Sequence, residues 1–479
     1  LHPGATFDER VDRQAVDVLR ELLHRAVGVG RILDPGTEAV LVEPELLLQL
    51  GHGQVLPSSE RRKQGGIGDR RVCRELLGQG VVGILHDIDS RVWDALSGDP
   101  VARILAGTPG DPVWVVGGAV RAALLGEDEP AADLDLVVEG DGRAVGRALA
   151  DALGVIPVVH DRFQTAALVI PGRAIDVVTA RREVYPEPGA LPEITPSSLA
   201  DDLGRRDFTI SALAVCLRGP HVGRLADAHA GREDLDARLI RRIRPGEFVE
   251  DPSRTVRGAR YAAGLDFTIE AETAQEMKAG APEVDLASAR VAEEAARMAA
   301  EDSAAAGFRH LADLGVAWAR DDVAARDLGA LDAASAHPGA PRVDRTSLRL
   351  GRAVRPDALA TAELPGWSRA QAQAVGAGAA LAARLAGAPM SAVDRLAASA
   401  PAAAQVAAAA EGSPEIIAWW ERGRDLELAI DGEDLLAAGC VPGPALGRGL
   451  AAARAAALDG VAPDRDGQLR VALDVARPR

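Results

Sequence analysis

Short apolar runs alternate with amphipathic segments between residues 111 and 230. The apolar runs are three to five residues long, as short buried strands are, and the segments between them have helical spacing. One predicted helix stops at Gly126, because glycine readily adopts the left-handed conformation that ends helices. This part of the chain is therefore predicted to be an α/β domain with a mixed sheet. Its predicted elements are strands at 114–116 and 134–138, helices at 119–125 and 144–153, and a hairpin at 166–178 around Pro171-Gly172.

The pattern changes after about residue 231, where strand signals almost vanish. Segments rich in Ala, Leu, Arg and Glu at 287–300, 370–386 and 447–458 predict an all-α remainder. Residues 329–341 are rich in Ala, Gly and Pro, which is typical of a linker or a long loop. Residues 1–100 contain no catalytic pattern, and the isolated His86-Asp87 pair is expected in a solvated loop.

Composition limits the classes of function. A chain of 479 residues is expected to form two to four domains. The net charge of −17 excludes RNA binding through a uniformly basic surface, so any RNA contact must rest on local arginine clusters. Cys73, Cys216 and Cys440 are too far apart to predict a disulfide framework or a zinc site, which favours a cytoplasmic location. Neither a membrane-spanning run nor a signal peptide is evident.

Gly117-Gly118 lies between a predicted strand and a predicted helix, and Arg121 follows one turn later. Free backbone N–H groups at a helix start attract phosphate, and glycine lets a ligand approach closely. Arg121 would add a charge-assisted contact. These residues are candidate nucleotide contacts, although a tight strand-to-helix turn would explain the glycines equally well.

Asp133 and Asp135 alternate with leucines on a predicted strand, so both carboxylates should project from one face. Adjacent carboxylates repel each other unless a cation lies between them. Oxygen ligands at this spacing suit Mg²⁺ bridging the phosphates of a nucleotide. Asp176, on a later strand, is a candidate third acid that would polarise an attacking hydroxyl; an outward-facing strand residue is the alternative.

Two further clusters combine arginine with carboxylate. Arg206 suits a triphosphate and Asp207 a ribose hydroxyl, unless they merely begin a helix. Asp251 precedes Pro252 as a predicted helix cap. Asp251 and Arg254 together present an acceptor and several donors, which can recognise the edge of C or A, and Arg257 shares their face.

The ordered set resembles the bacterial-type tRNA nucleotidyltransferase and poly(A) polymerase family. It comprises Gly117-Gly118-x-Val-Arg, Asp133-x-Asp135, Arg205-Arg206-Asp207-Phe208-Thr209 and Glu250-Asp251-x-x-Arg254-x-x-Arg257. Residues 179–192 resemble the flexible-loop region of the family, and residues 432–447 resemble its tail motif. Two positions depart from the pattern: Ala122 stands where the family usually has Asp, and Ser211 where it usually has Asn.

The resemblance implies a polymerase-beta-like nucleotidyltransferase head at residues 101–230, after an extension (1–100) of unknown role. A helical neck (231–300) would recognise the base, and a helical body and tail (301–479) would bind RNA. It implies Mg²⁺ on Asp133 and Asp135, with tRNA, CTP and ATP as partners and no membrane partner. It does not specify the oligomeric state.

The expected reaction is CCA addition or repair at the tRNA 3′ end. The alternatives are an A-adding enzyme, a poly(A) polymerase, a non-catalytic RNA-binding protein, or a nucleotidyltransferase acting on proteins or small molecules. The last of these would not explain the helix that follows Glu250.

Overall fold

The computed structural model describes residues 85–127, 133–184, 193–320, 322, 325–362 and 367–477. The larger part of the predicted N-terminal extension, residues 1–84, lies outside the described residues. So do residues 185–192 of the segment that resembles the flexible loop.

An eight-stranded mixed sheet forms the head, in the order β1-β10-β9-β2-β3-β6-β5-β4. The predicted hairpin is confirmed, because β5 and β6 pair in antiparallel fashion through a turn at Pro171-Gly172. The strands are β1 (Leu85–Asp87), β2 (Val113–Val116), β3 (Asp133–Val138), β4 (Val158–His160), β5 (Thr165–Ile170), β6 (Arg173–Thr179), β9 (Leu213–Arg218) and β10 (Arg224–Asp227), and a separate ribbon contains β7 (Arg181–Val184) and β8 (Glu193–Pro196).

Six short α-helices accompany the sheet in the part of the head that the structure describes. Helix α3 ends at Gly126 in the left-handed conformation, as the sequence predicts. The predicted helix at 144–153 begins two residues earlier, where the Asp141 side chain accepts backbone N–H groups. The helices are α1 (Ser90–Ser97), α2 (Pro100–Ala106), α3 (Gly118–Leu125), α4 (Gly142–Leu153), α5 (Leu199–Gly204) and α6 (Gly231–Asp236).

The head includes residues that precede position 101. His86-Asp87 lies in strand β1, which pairs with β10, so the expectation of a solvated loop is wrong. Val92 and Leu105, on α1 and α2, are buried in the core beneath the sheet. The predicted boundary between residues 1–100 and 101–230 therefore crosses a continuous core.

The rest of the described chain is helical, as predicted, apart from two two-residue strands that pair in parallel, β11 (Leu239–Ile240) and β12 (Thr268–Ile269). These helices are α7 (Glu247–Glu250), α8 (Ser253–Leu265), α9 (Ala271–Gly280), α10 (Ala289–Ala300), α11 (Ala304–Asp313), α12 (Ala325–Ser335), α13 (Arg345–Ala353), α14 (Pro356–Thr361), α15 (Arg369–Val375), α16 (Gly378–Leu385), α17 (Met390–Ala398), α18 (Ala402–Ala410), α19 (Pro414–Ala418), α20 (Gly432–Ala437), α21 (Pro444–Leu458) and α22 (Arg465–Ala476).

Two expectations for this region are corrected. The predicted linker at 329–341 is wrong at its start, because α12 extends to Ser335. The segment 370–386 forms two helices, since α15 ends before Gly376.

Separate apolar cores support the helical part. One large core runs from Val256 on α8 to Trp420, and a smaller one at the C-terminal end contains Leu435 and Ala472. Among the described residues, no helix has the length and apolar character that crossing a bilayer requires.

Candidate active site

Three carboxylates share one face of the sheet. Along β3, Asp133 and Asp135 project from the open face of the sheet whereas Leu134 and Leu136 are buried in the core, which confirms the predicted alternation. Strand β6 runs parallel to β3, and Asp176 is the direct partner of Asp135 in the register. Directly paired residues project to the same side, so the structure brings Asp176 beside the predicted pair.

The electrostatics of this face suit a divalent cation. Burial raises the pKa of Asp135; Arg206 opposes the rise, while Asp176 and Asp133 add to it. Burial and repulsion from Asp133 likewise raise the pKa of Asp176. A cation between the carboxylates would relieve this repulsion. In the described ranges, no group of three or more His, Cys, Asp or Glu side chains is arranged to hold a metal ion by itself.

The Gly-Gly turn brings the helix start against this face. Gly117 caps α3 with φ of 67°, a left-handed conformation that favours glycine. A β-carbon at Gly117 would lie 3.3 Å from Nη1 of Arg206 and 3.6 Å from Oδ2 of Asp135. The turn therefore lies between a cation and a carboxylate, and its positive φ is what favours glycine there.

Arg206 is held in place by buried partners. Its Nη2 donates to Asp202 over 3.2 Å, and its Nη1 donates to the carbonyl of Ser211 over 3.2 Å. Asp202 is fully buried and also pairs with Arg205. The Nε of Arg206 is buried and has no hydrogen-bond partner among the described residues, so the guanidinium retains a donor for a ligand.

One cavity of about 500 Å³ connects the sheet face to the start of α8. Eight of its lining residues are arginines and four are carboxylates, which makes it a local cationic site in an acidic protein. It brings together Gly117, Gly118, Asp135, Arg206, Asp207, Asp251, Arg254 and Arg257 from the predicted set. Asp133, Asp176 and Arg121 do not line it.

Asp251 and Arg254 line the cavity around the start of α8. The Asp251 side chain accepts the N–H of Ser253 over 3.2 Å and its hydroxyl over 2.6 Å. Its other oxygen pairs with Arg290 and lies 3.7 Å from Nε of Arg254. The Arg254 guanidinium is almost fully buried and pairs with Glu247 over 3.3 Å. Both candidate base-recognition groups are therefore held rigidly.

Arg257 connects the head to the neck rather than pointing freely into the cavity. It donates to Asp207 over 2.6 Å and to Glu294 over 2.9 Å. Burial opposes ionisation of Asp207, but the charges of Arg257 and Arg254 hold its pKa below the ordinary value. The second Asp207 oxygen accepts the N–H of Phe208. Both Asp207 oxygens thus have protein partners.

Arg121 and the two residues that depart from the family pattern, Ala122 and Ser211, lie in different surroundings. The Arg121 guanidinium stacks over the ring of Tyr261, 5.0 Å from its centre, and Tyr261 itself lines the cavity. Ala122 lines a separate cavity together with Leu134, on the opposite face of the sheet from the carboxylates. Ser211 lines the main cavity, and its buried hydroxyl has no hydrogen-bond partner within the described part of the chain.

Four residues of this network were not predicted: Asp202, Glu247, Arg290 and Glu294. Each pairs with a predicted arginine or aspartate. Arg290 and Glu294 are four residues apart on α10, so they share a helix face. That spacing was the only available signal, because their partners are more than 35 residues away.

Comparison with known proteins agrees with this geometry. The model of the poly A polymerase head domain matches residues 113–241. A model described as a probable RNA and SrmB-binding site of polymerase A matches residues 266–317. The chain is 38% identical over 347 residues to a CC-adding tRNA nucleotidyltransferase of Deinococcus radiodurans, covering 72% of this chain and 84% of that protein.

Other similar proteins match over a shorter part of the chain or at lower sequence identity. An A-adding tRNA nucleotidyltransferase of Halalkalibacterium halodurans is 41% identical over 183 residues, 38% of this chain and 42% of that protein. The Thermotoga maritima CCA-adding enzyme complexed with tRNA superposes with a TM-score of 0.65 at 26% identity, covering 82% of this chain and 99% of the other. An apo CCA-adding enzyme gives a TM-score of 0.68 at 26% identity over the same shares.

Proposed function

Because the chain belongs to the tRNA nucleotidyltransferase and poly(A) polymerase family, we propose that it adds CMP and AMP, from CTP and ATP, to the 3′ end of tRNA. The observation that carries the proposal is one cavity lined by Asp135 and Gly117 of the head and by Asp251 and Arg254 around the start of α8. A nucleoside triphosphate needs both sets of groups, one for its phosphates and one for its base.

We assign roles within this cavity. The turn at Gly117-Gly118 and the Arg206 guanidinium hold the triphosphate, because both offer donors to oxygen anions. Asp251 accepts the exocyclic amino group of the base, and Arg254 donates to its ring. Arg257 holds Asp207 and Glu294, which keeps the neck helix against the head. Arg121 orients Tyr261 at the wall of the cavity.

Asp133 and Asp135 are the proposed ligands of Mg²⁺, and the raised pKa of Asp135 fits a position that a cation completes. Mg²⁺ bound there would neutralise charge on the phosphates and lower the pKa of the attacking hydroxyl. Asp176 accepts a hydrogen bond from the tRNA 3′-hydroxyl. The 3′-oxygen gives its proton to the Asp176 carboxylate and forms a bond to the α-phosphorus, the bond from that phosphorus to the bridging oxygen breaks, and pyrophosphate leaves.

We extend the assignment to the domains. The head, residues 85–230, performs the transfer, the neck up to residue 300 selects the base, and residues 301–477 hold the tRNA. The cytoplasm is the proposed compartment; it agrees with the free thiols of Cys216 and Cys440.

A second candidate is an enzyme that adds only the two cytidines. The match to the CC-adding relative spans 347 residues, whereas the A-adding relative matches over 183. Supplying tRNA that ends before CCA with CTP alone, and tRNA that ends in CC with ATP alone, distinguishes the candidates. Incorporation of both nucleotides supports CCA addition, CTP alone supports the second candidate, and ATP alone supports an A-adding enzyme.

Asp133→Ala is expected to reduce incorporation at least about a thousandfold, because one of two metal ligands is lost. The fold should be unaffected, since Asp133 is exposed at the start of β3. Radiolabelled CTP incorporation measures the effect, and circular dichroism checks the fold. Activity at the wild-type level in this variant would refute the assigned role.

A further inference from the structure

Arg290 lies at the start of α10 and lines the part of the cavity proposed to recognise the base. Its Nη2 pairs with the same Asp251 oxygen that faces Arg254. Its Nη1 is buried and has no hydrogen-bond partner among the residues that the structure describes. A buried donor without an acceptor costs free energy unless a ligand supplies one.

Arg254 has much less donor capacity to spare. Its Nη2 donates to the carbonyl of Arg205 over 2.9 Å, its Nη1 to Glu247 over 3.3 Å, and its Nε faces Asp251 at 3.7 Å. Each of the three nitrogens of the guanidinium thus faces a protein acceptor, and each terminal nitrogen carries a second N–H that can point to the ring of a base. The unused donor beside Asp251 therefore belongs to Arg290.

The bases differ in what they offer to a third group. Cytosine presents an amino donor followed by two acceptors, N3 and O2, whereas adenine presents an amino donor, the N1 acceptor and an apolar C–H. Asp251 and Arg254 satisfy the first two positions of either base. A further donor beside them finds an acceptor only on cytosine.

We propose that Arg290 Nη1 donates to O2 of the incoming cytosine and thereby makes the site prefer CTP over ATP. This deepens the proposed function and rests on its assignment of Asp251 to the base. Two further groups on the cavity wall, Arg206 Nε and the Ser211 hydroxyl, also have no hydrogen-bond partner among the described residues. They lie beside the Gly-Gly turn, because a β-carbon on Gly117 would lie 3.3 Å from Nη1 of Arg206, which donates to the Ser211 carbonyl. They face the phosphates and sugar, which CTP and ATP share.

Arg290→Lys tests the proposal, because lysine keeps a cation beside Asp251 but has no second nitrogen. We expect kcat/KM for CTP, on tRNA ending before CCA, to fall about tenfold. For ATP, on tRNA ending in CC, it should change less than about twofold. Equilibrium binding of CTP and of ATP to the tRNA-free protein should show the same difference.

Arg352→Lys is the matched control. Arg352 also makes one ion pair, with Glu411, and its side chain is 30% exposed against 35% for Arg290. Arg352→Lys should change kcat/KM for neither CTP nor ATP. Thermal melting of both variants checks the fold.

Two failures are distinguishable. In the first, the wild-type protein extends tRNA, but Arg290→Lys lowers kcat/KM for CTP and for ATP equally or lowers neither. That result refutes the role of Arg290 and leaves the proposed function intact. If the wild-type protein extends no tRNA but its affinity for CTP still falls selectively in Arg290→Lys, the proposed function fails and the contact to cytosine stands.

Discussion

Asp135 and Asp176 lie side by side in the parallel register of β3 and β6, and burial together with repulsion from neighbouring carboxylates raises the pKa of both carboxyls. A carboxyl whose pKa is raised by folding binds protons more tightly in the folded state. The stability of the folded state therefore rises as the pH falls from the raised value to the ordinary value of 3.8, and the full penalty is present at neutral pH.

Asp135→Asn is accordingly expected to abolish incorporation and to stabilise the protein without metal. At pH 7 we expect a melting temperature about 2–4 °C higher than wild type, since one repelling charge is removed. The gain should disappear below the raised pKa, where the wild-type carboxyl is protonated. Melting curves between pH 4 and 8 measure this. Asp302→Asn, at a carboxylate that is 92% exposed, should give no gain, and equal gains in both variants would contradict the argument.

Sequence pattern predicted part of this site at the level of single residues. The alternation of Asp133 and Asp135 with leucines was sufficient to place both on one face, because strand periodicity is local. The position of Asp176 beside them depended on which strands pair, and the local pattern does not specify that. Arg290 and Glu247 were missed for the same reason, since each meets its partner only through tertiary contacts.

At the scale of elements, helix α8 places its first two turns between the head and α10. Arg257 is the contact that both neighbours share, since it pairs with Asp207 of the head and with Glu294 of α10. Both carboxylates are more than 90% buried. Without Arg257, each would lose its closest compensating charge.

Arg257→Met should destabilise the protein by about 3 kcal/mol, because buried Asp207 loses its ion-pair partner and Glu294 keeps only Arg260 and Arg297. The loss should appear in urea unfolding at pH 7. Arg352→Met removes an exposed ion pair with Glu411 and should cost less than about 1 kcal/mol. Similar losses in the two variants would show that the Arg257 network is not what holds α8.

Element boundaries show where sequence reasoning reached its limit. The alanine-rich helices were predictable from periodicity, but the break between α15 and α16 was not. A β-carbon on Gly378 would lie 2.3 Å from that of Ala407, so α16 begins where the backbones pack closely. This tertiary contact leaves no mark on the local pattern. Helix α12 was mistaken for a linker because its glycine and alanine content resembles that of a loop.

At the scale of the whole molecule, an arginine joins the body to the C-terminal helices. Arg454, on α21, donates to both carboxylate oxygens of Asp394 on α17, from Nε over 3.1 Å and from Nη2 over 3.0 Å. It also donates to the carbonyls of Gly423 and Arg424. Asp394 also accepts the indole N–H of Trp419 over 2.8 Å. The C-terminal core therefore has a defined attachment to the body.

Arg454→Leu should loosen this attachment. If residues 301–477 hold the tRNA as proposed, tRNA affinity is expected to fall at least about fivefold, because the C-terminal helices lose their fixed position. Affinity for CTP should stay unchanged, because neither Arg454 nor the residues that it contacts line the cavity. Fluorescence titrations with tRNA and with CTP measure the two effects, and equal weakening of both would exclude a role limited to the tail.

Strand β1 and helices α1 and α2 have a practical consequence for shortened forms of the protein. A chain trimmed to begin at residue 101 would lose the partner of β10 and uncover Leu225, which is fully buried in the intact head. Bare strand edges beside apolar surface promote aggregation. A head beginning at Leu85 keeps that edge paired, so it is the shorter form to use for crystallisation.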